Sequence, residues 1–300
     1  MTAQTPTPGL ITPRLIAIGE TMALVAPTAA EPLLTAEQFQ LSIGGAESNV
    51  AIHVAALGQQ AAWVSALGDD VLGARVLDTI AGRGVDTHWV GTDSTAPTGV
   101  YFKDPGQGVL YYRAGSAASR MSPEAIAEIP LEQAEIVHIS GITPALSASC
   151  AALIEVVFDR MSGAPGIVSF DVNHRAALWS AAEAAPVLER LANRADLVFV
   201  GRDEAETLWG CETASDARAH LPGAATLVVK DGDIGATEFS DEGTVFVPAI
   251  PTEVVEAVGA GDAFAAGYLA GLLSGATASE RLEGGHRRAS LVLGSTGDIG

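Results

Sequence analysis

The sequence predicts an α/β protein whose core is a mainly parallel sheet. The first observation is an alternation of short β-branched runs with segments of helical period: LIAIG at 15–19, ESNVAIHVAALG at 47–58, AAWVSAL at 61–67 and DVLGARVLDTIAGRG at 70–84. That order of elements marks βαβ units. The second is its continuation through IVHISGI (136–142), CAALIEVVFDRM (150–161), IVSFDVN (167–173), a helix near 181–194, LVFVG (197–201) and TLVVKDG (226–232). The third is size, since 300 residues, 48% of them hydrophobic, suffice for one large α/β domain or two small ones around a sizeable core. Sheets of this kind hold ligands beyond the carboxyl ends of their strands.

Two regions depart from the alternation. Residues from about 20–43 and 96–115 read as strands without intervening helices, and TGVYFKD and VLYYRAG flank PGQG as a hairpin. They predict a small antiparallel sheet, discontinuous in sequence, that serves as a lid over the strand ends or as a dimerising flap. Bare strand edges invite pairing, so a homo-oligomer through the lid is expected. Residues 1–13, MTAQTPTPGLITP, carry Thr and Pro but no apolar signal core, and read as a flexible tail before a single domain over 14–300.

Charge narrows the partners. Sixteen basic against thirty-six acidic side chains give a formal charge of −20, which repels a phosphate backbone and an anionic bilayer surface. Nucleic acid and membrane partners are therefore not expected, and an anionic substrate needs local arginines. The longest late apolar run, AFAAGYLAGLL, is shorter than the roughly 20 residues a bilayer requires. Cys150 and Cys211 lack any CxxC or Cys/His spacing, which points away from a disulfide framework or zinc site and toward a cytoplasmic location.

Two glycine-rich helix entries carry the chemistry. In VGAGDAFAAG (258–267), the turn Gly259-Ala260-Gly261 opens a helix whose unpaired N–H groups and dipole make an anion site. Asp262 stands beside that anion, where a carboxylate can take a proton from an attacking hydroxyl; a plain helix cap is the alternative role. No Walker A sequence and no GxGxxG after the first strand competes for phosphate binding. In GGAESNVA (44–51), Gly44 and Gly45 permit close approach of a ligand to the backbone, and Asn49 offers donor and acceptor groups to hydroxyls.

Together GGAESNVA and GAGDAFAAG resemble the two signature segments of the PfkB-type, or ribokinase-like, carbohydrate kinases, over roughly residues 15–300. The resemblance implies a three-layer α/β/α core with a β lid, a sugar substrate, and ATP with magnesium as cofactors. It makes Asp262 the general base and the backbone of Gly259, Ala260 and Gly261 the anion hole, with Gly44, Gly45 and Asn49 on the sugar. Glu204 in VGRDEAETL matches the family's Asn-x-x-Glu element, which organises magnesium. Lys230, Gly232 and Gly235 match the turn lining the ATP site, and Asn173, with Gly259 and Gly261, joins this nucleotide-facing set. Gly201 replaces the usual Asn of the magnesium element, and Glu256-Ala257 replaces the usual Asp-Thr before GAGD.

The substrate is expected to be an acid. YYRAGSAAS and DVNHRAALW look like the segments that mark 2-keto-3-deoxygluconate kinases within the family, making Tyr101, Tyr111, Arg113 and Arg175 sugar-acid ligands. A guanidinium holds a carboxylate bidentately, which a neutral hexose does not require. Ordinary sheet tyrosines, and an Arg175 tied to Asp171, are the plainer roles. The expected reaction is ATP-dependent phosphorylation of 2-keto-3-deoxy-D-gluconate at its 6-hydroxyl. A fructokinase or ribokinase, or a sugar-binding regulator without chemistry, is the alternative.

Overall fold

The computed structural model describes residues 13–29, 31–254 and 256–294. The expected tail as far as Thr12 and the terminal STGDIG lie outside the described residues, and Pro13, placed at the tail's end by the sequence, is buried.

The chain begins with β1 (Leu15–Ile18), β2 (Met22–Pro27), β3 (Phe39–Gly44) and α1 (Ala46–Ala56). There follow β4 (Ala61–Gly68), α2 (Val71–Gly82), β5 (Val90–Asp93), β6 (Val100–Asp104), β7 (Gly108–Tyr112) and β8 (Ile136–Ser140). The next stretch holds α3 (Thr143–Leu146), α4 (Ala148–Met161), β9 (Ile167–Asp171), α5 (Ala181–Ala192), β10 (Leu197–Gly201), α6 (Arg202–Trp209) and α7 (Ala214–His220). It closes with β11 (Thr226–Asp231), β12 (Gly235–Ser240), β13 (Gly243–Pro248), α8 (Ala260–Leu273) and α9 (Ala278–Leu293).

Nine strands form the main sheet in the order β13-β12-β11-β10-β9-β8-β1-β4-β5. The run from β11 to β5 is parallel, and β12 and β13 extend it antiparallel as an edge hairpin. Side chains alternate across a strand, so Ile16 and Ile18 of β1 enter one core with Leu153 and Val157 of α4 and Leu188 of α5. Leu15 and Ala17 face the opposite core, with Val50 of α1, Val76 of α2, Leu269 of α8 and Leu282 of α9. This is the expected ribokinase-like three-layer α/β/α arrangement. Successive strands spread outward from β1 and β8 in opposite directions, so the strand order reverses between these two neighbours. A crevice opens at such a reversal, beyond the carboxyl ends of the strands.

The small sheet runs β3-β2-β6-β7. It corrects one detail of the sequence reading, because β2 and β6 pair in parallel rather than antiparallel. Between them the chain builds α1, β4, α2 and β5, and this long excursion lets β6 return in the direction of β2. The β2–β3 and β6–β7 pairs are antiparallel hairpins as expected.

Helix α8 is buried nearly throughout because small residues let its neighbours close in. A Cβ on Gly267 would stand 2.3 Å from the carbonyl oxygen of Gly284 in α9, so glycine alone permits this contact. Farther along, Tyr268 donates to Glu238 of β12 at 2.8 Å, and Arg281 of α9 holds the other oxygen of that fully buried carboxylate at 2.6 Å. Burial, and next the Glu238 charge, push the Tyr268 hydroxyl up, so it stays a donor. The helix that presents Asp262 is thereby fixed to sheet and neighbour alike.

Candidate active site

A cavity of about 1180 Å³ occupies the crevice, exceeding the ~300–1,000 Å³ usual for one ligand. All the catalytic, sugar, nucleotide and metal residues expected from the sequence line it. Gly44, Gly45, Asn49, Tyr101, Tyr111 and Arg113 stand toward the small sheet. Gly259, Ala260, Gly261 and Asp262 line it at the start of α8, and Asn173, Arg175, Glu204 and Lys230 line it as well. Gly232 and Gly235 stand toward the far end, beside Ile250, Pro251, Val254 and Leu293, an apolar group the sequence reading passed over.

The centre follows from the start of α8. Gly259 is its N-cap with φ 86°, a left-handed conformation that disfavours any side chain, and no side chain caps the helix. Ala260 N–H donates to the carbonyl oxygen of Ala257 at 3.3 Å, while Gly261 and Asp262 N–H groups have no backbone partner among the described residues and are left for an anion at the cavity wall. Asp262, 8% exposed, accepts a hydrogen bond from Asn49 Nδ2 of α1 at 2.8 Å on Oδ2. Burial pushes its carboxyl up to about 7, against the Asn49 hydrogen bond and the Arg175 charge, which pull it down. The other amide atom, Asn49 Oδ1, is buried without a partner among the described residues and is available to a ligand hydroxyl.

A buried charge cluster adjoins it. Lys230, at the end of β11, meets Asp171 of β9 at 3.0 and 3.3 Å, rather than standing solvated. Burial alone would push its ammonium down, but Asp171 and Glu204 more than offset this and raise it. Glu204 accepts N–H groups of Gly201 at 2.8 Å and His174 at 2.9 Å. Burial, then the Asp171 charge, push the Glu204 carboxyl up. Asn173 takes φ 41°, a left-handed turn uncommon outside glycine, where the chain leaves β9.

These carboxylates suit a divalent cation, which relieves the repulsion that raises Glu204. No group of three or more His, Cys, Asp or Glu side chains among the described residues forms a complete metal cage. Magnesium keeps several waters and takes substrate phosphates with one or two carboxylates, so a complete protein cage is not required of it. Glu204 is the residue that would hold it, Asp171 being paired with Lys230.

The two predicted arginines differ. Arg113 is buried against Glu20, its Nε donating to Oε2 at 2.6 Å, while Ser116 donates to the other oxygen at 2.9 Å. Its guanidinium also lies 5.0 Å from the centre of the Tyr111 ring, which stacks on Tyr101 at 5.8 Å. Arg113 therefore meets a ligand with its charge already balanced. Arg175 is exposed and forms no ion pair with the described residues, and Asp171 is taken by Lys230 instead. Glu20 carried no role in the sequence reading; an acid directly after a buried strand was its signal. Glu47, in the first turn of α1, accepts from Ser140 at 2.6 Å and Thr143 at 3.3 Å, and burial raises it to about 7.

Asp262 at the start of α8 and the Lys230–Asp171–Glu204 charge cluster thus line one cavity beyond the strand ends of this fold. The profile of the pfkB family carbohydrate kinases matches residues 12–300, and the chain belongs to that family. A 2-dehydro-3-deoxygluconokinase from Thermoproteus tenax is 33% identical, over 95% of this chain and 89% of that one. A 2-dehydro-3-deoxygalactonokinase from Haloferax volcanii is 34% identical, over 96% and 93%. The crystal structure of a PfkB protein from Polaromonas sp. JS666 superposes with a TM-score of 0.88 at 35% identity, covering 96% of this chain and 98% of the other. No helix among the described residues is long and apolar enough to cross a membrane.

Proposed function

We propose that the chain is an ATP- and magnesium-dependent sugar-acid kinase of the cytoplasm, transferring phosphate to the 6-hydroxyl of 2-keto-3-deoxy-D-gluconate. The observation that carries this reading is the pairing, in one cavity, of Asp262 at the α8 anion hole with Arg175, a guanidinium that forms no ion pair among the described residues. Asp262 orients the sugar hydroxyl and takes its proton, the hydroxyl oxygen attacks the terminal phosphorus, and ADP departs. A carboxyl raised to about 7 is matched to this task, since a general base works best near the operating pH. Asn49 holds the carboxylate with Nδ2 and accepts a sugar hydroxyl with Oδ1. N–H groups of Gly259, Ala260 and Gly261 take charge developing on the transferred group. Magnesium, when bound, neutralises the phosphate oxygens.

At the sugar end, Tyr101 and Tyr111 form the wall and Arg175 takes the carboxylate, with Arg113 supporting the Tyr111 face. Gly44 and Gly45 let the sugar approach the start of α1. At the other end, Gly232, Gly235 and the Ile250–Val254 stretch suit a nucleotide base, with Lys230 and Asn173 toward the phosphates. A relative named for the galacto acid supports 2-keto-3-deoxygalactonate as a second substrate. The test is ADP release with ATP and magnesium on both keto acids, gluconate, fructose and ribose. Selective turnover of the keto acids is expected, with Arg175→Ala raising their KM about tenfold or more, the loss of one charged hydrogen-bonding partner. Turnover on fructose or ribose indifferent to Arg175→Ala would contradict the acid clamp.

The small sheet is proposed to seal the site as a lid and to join two copies. Leu41, Val25, Phe102 and Leu110 lie opposite one another across its four strands on the side away from Tyr101, and Leu41 and Leu110 are 36% and 50% exposed. An apolar row of this kind is covered by a partner in a stable protein. Light scattering should give twice the 30.6 kDa chain mass, and Leu41→Asp with Leu110→Asp should give the single chain. A single-chain mass for the unaltered protein at micromolar concentration would refute the pairing.

A further inference from the structure

The strand that carries Tyr101 also reaches the anion hole. Side chains on one face of a strand recur every second residue, so Lys103 of β6 shares the inner side of the small sheet with Tyr101, a wall of the cavity. Its Nζ lies 3.3 Å from Glu256 Oε2, with the lysine side chain 9% exposed. Glu256 in turn shapes the turn that precedes α8: its Oε1 accepts the N–H groups of Ala257 at 2.9 Å and Val258 at 3.1 Å. Its own N–H donates to Leu293 of α9 at 3.3 Å. Ala257 carries no hydroxyl, so among the adjoining side chains it is the Glu256 carboxylate that fixes the amides leading into Gly259.

We propose that Lys103 and Glu256 form a positioning pair that couples closure of the small sheet to the setting of the α8 anion hole. The proposal rests on the reading of Gly259–Asp262 as the phosphate site. Neither residue lines the cavity, so the pair acts through the turn and not on the substrates. When the sheet covers a sugar, Tyr101 meets the ligand and Lys103 meets Glu256 in one movement, because both belong to one short strand. The turn is then held, and first-turn N–H groups converge on the phosphate. With the sheet away, Glu256 loses its cation and the turn its anchor, so transfer to a sugar is favoured over transfer to water. Partial burial pushes the Glu256 carboxyl up, but the Val258 N–H and the Lys103 charge outweigh it and hold the group below the usual range. The carboxylate is therefore ionised at neutral pH.

Hydrogen exchange on the full chain, with kinetics beside it, tests the pair. Lys103→Met should speed amide exchange at 257–262 about tenfold while β8 to β10 stay protected, since the pair acts locally. It should lower kcat about tenfold, leave the sugar KM within about twofold, and raise sugar-independent ADP release relative to coupled turnover. Glu256→Gln should act alike, and the double variant should be no worse than the worse single one, the mark of one shared interaction. Unchanged protection at 257–262 in Lys103→Met, or single effects that multiply in the double variant, would overturn the coupling. The two readings separate cleanly: an unaltered protein inactive on every sugar acid sinks the kinase reading, while the exchange difference still decides the pair.

Discussion

Asp262→Asn is expected to lower kcat by about 10²- to 10⁴-fold, the range a positioned general base contributes, with little change in ligand affinity. The substitution keeps shape, and Asn49 Nδ2, now 2.8 Å from a carboxylate oxygen, still finds an amide oxygen in its place. Proton transfer is what disappears. The pH profile gives a second readout: burial holds the Asp262 carboxyl at about 7, so kcat/KM of the unaltered enzyme should rise through that pH as the base ionises. Residual activity of the variant should lack that step. The same shift has a signed effect on stability. A carboxyl with a raised pKa in the folded chain favours folding below its ordinary value near 4, and that contribution is lost as pH climbs to about 7. Thermal melts should therefore show Asp262→Asn gaining on the unaltered protein, by more at pH 8 than at pH 5.5. An equal gap at both would contradict the raised carboxyl.

Gly259→Ala carries the next largest effect. The residue caps α8 at φ 86°, where a Cβ costs about 1–2 kcal/mol, and it opens the turn whose N–H groups face the cavity. A chain that keeps the turn bears the strain, and a chain that relieves it redirects Ala260 and Gly261. Loss of one such donor in other anion holes costs about 10²- to 10³-fold in kcat, and a fall of this order is expected. The sugar KM should stay nearly constant, because the proposed sugar contacts lie on α1 and the small sheet. Steady-state kinetics with a melting curve would separate this from unfolding; an unchanged kcat would remove the turn from the account.

Much of this was legible in the sequence, for reasons tied to particular elements. The parallel strands β1, β8, β9 and β10 are covered on both faces, so LIAI, IVHIS and LVFV announce themselves as apolar runs. The glycine-led helix entries at 44–45 and 259–261, distinctive in sequence, both line the cavity. The edge hairpin β12–β13 is not legible because GATEFS buries polar Glu238 among its apolar residues and GTVFVP is largely exposed. Charge pairing was not legible at all. Glu20 and Arg113 are 93 residues apart, and Asp171 and Lys230 59 apart, so only the fold reveals which cations are taken. The apolar stretch at 250–254, proposed for the nucleotide base, carries no motif, since a base needs a hydrophobic slot and not a fixed spacing.

The central claim is that this chain moves phosphate from ATP to a sugar acid through Asp262. Phosphorus NMR on a mixture of protein, ATP, magnesium and 2-keto-3-deoxy-D-gluconate follows that atom directly. A phosphate-monoester signal split by the two C6 protons, growing in step with ADP and absent with Asp262→Asn, is the predicted result. Release of inorganic phosphate alone, or an ester that forms as fast with Asp262→Asn, would contradict it.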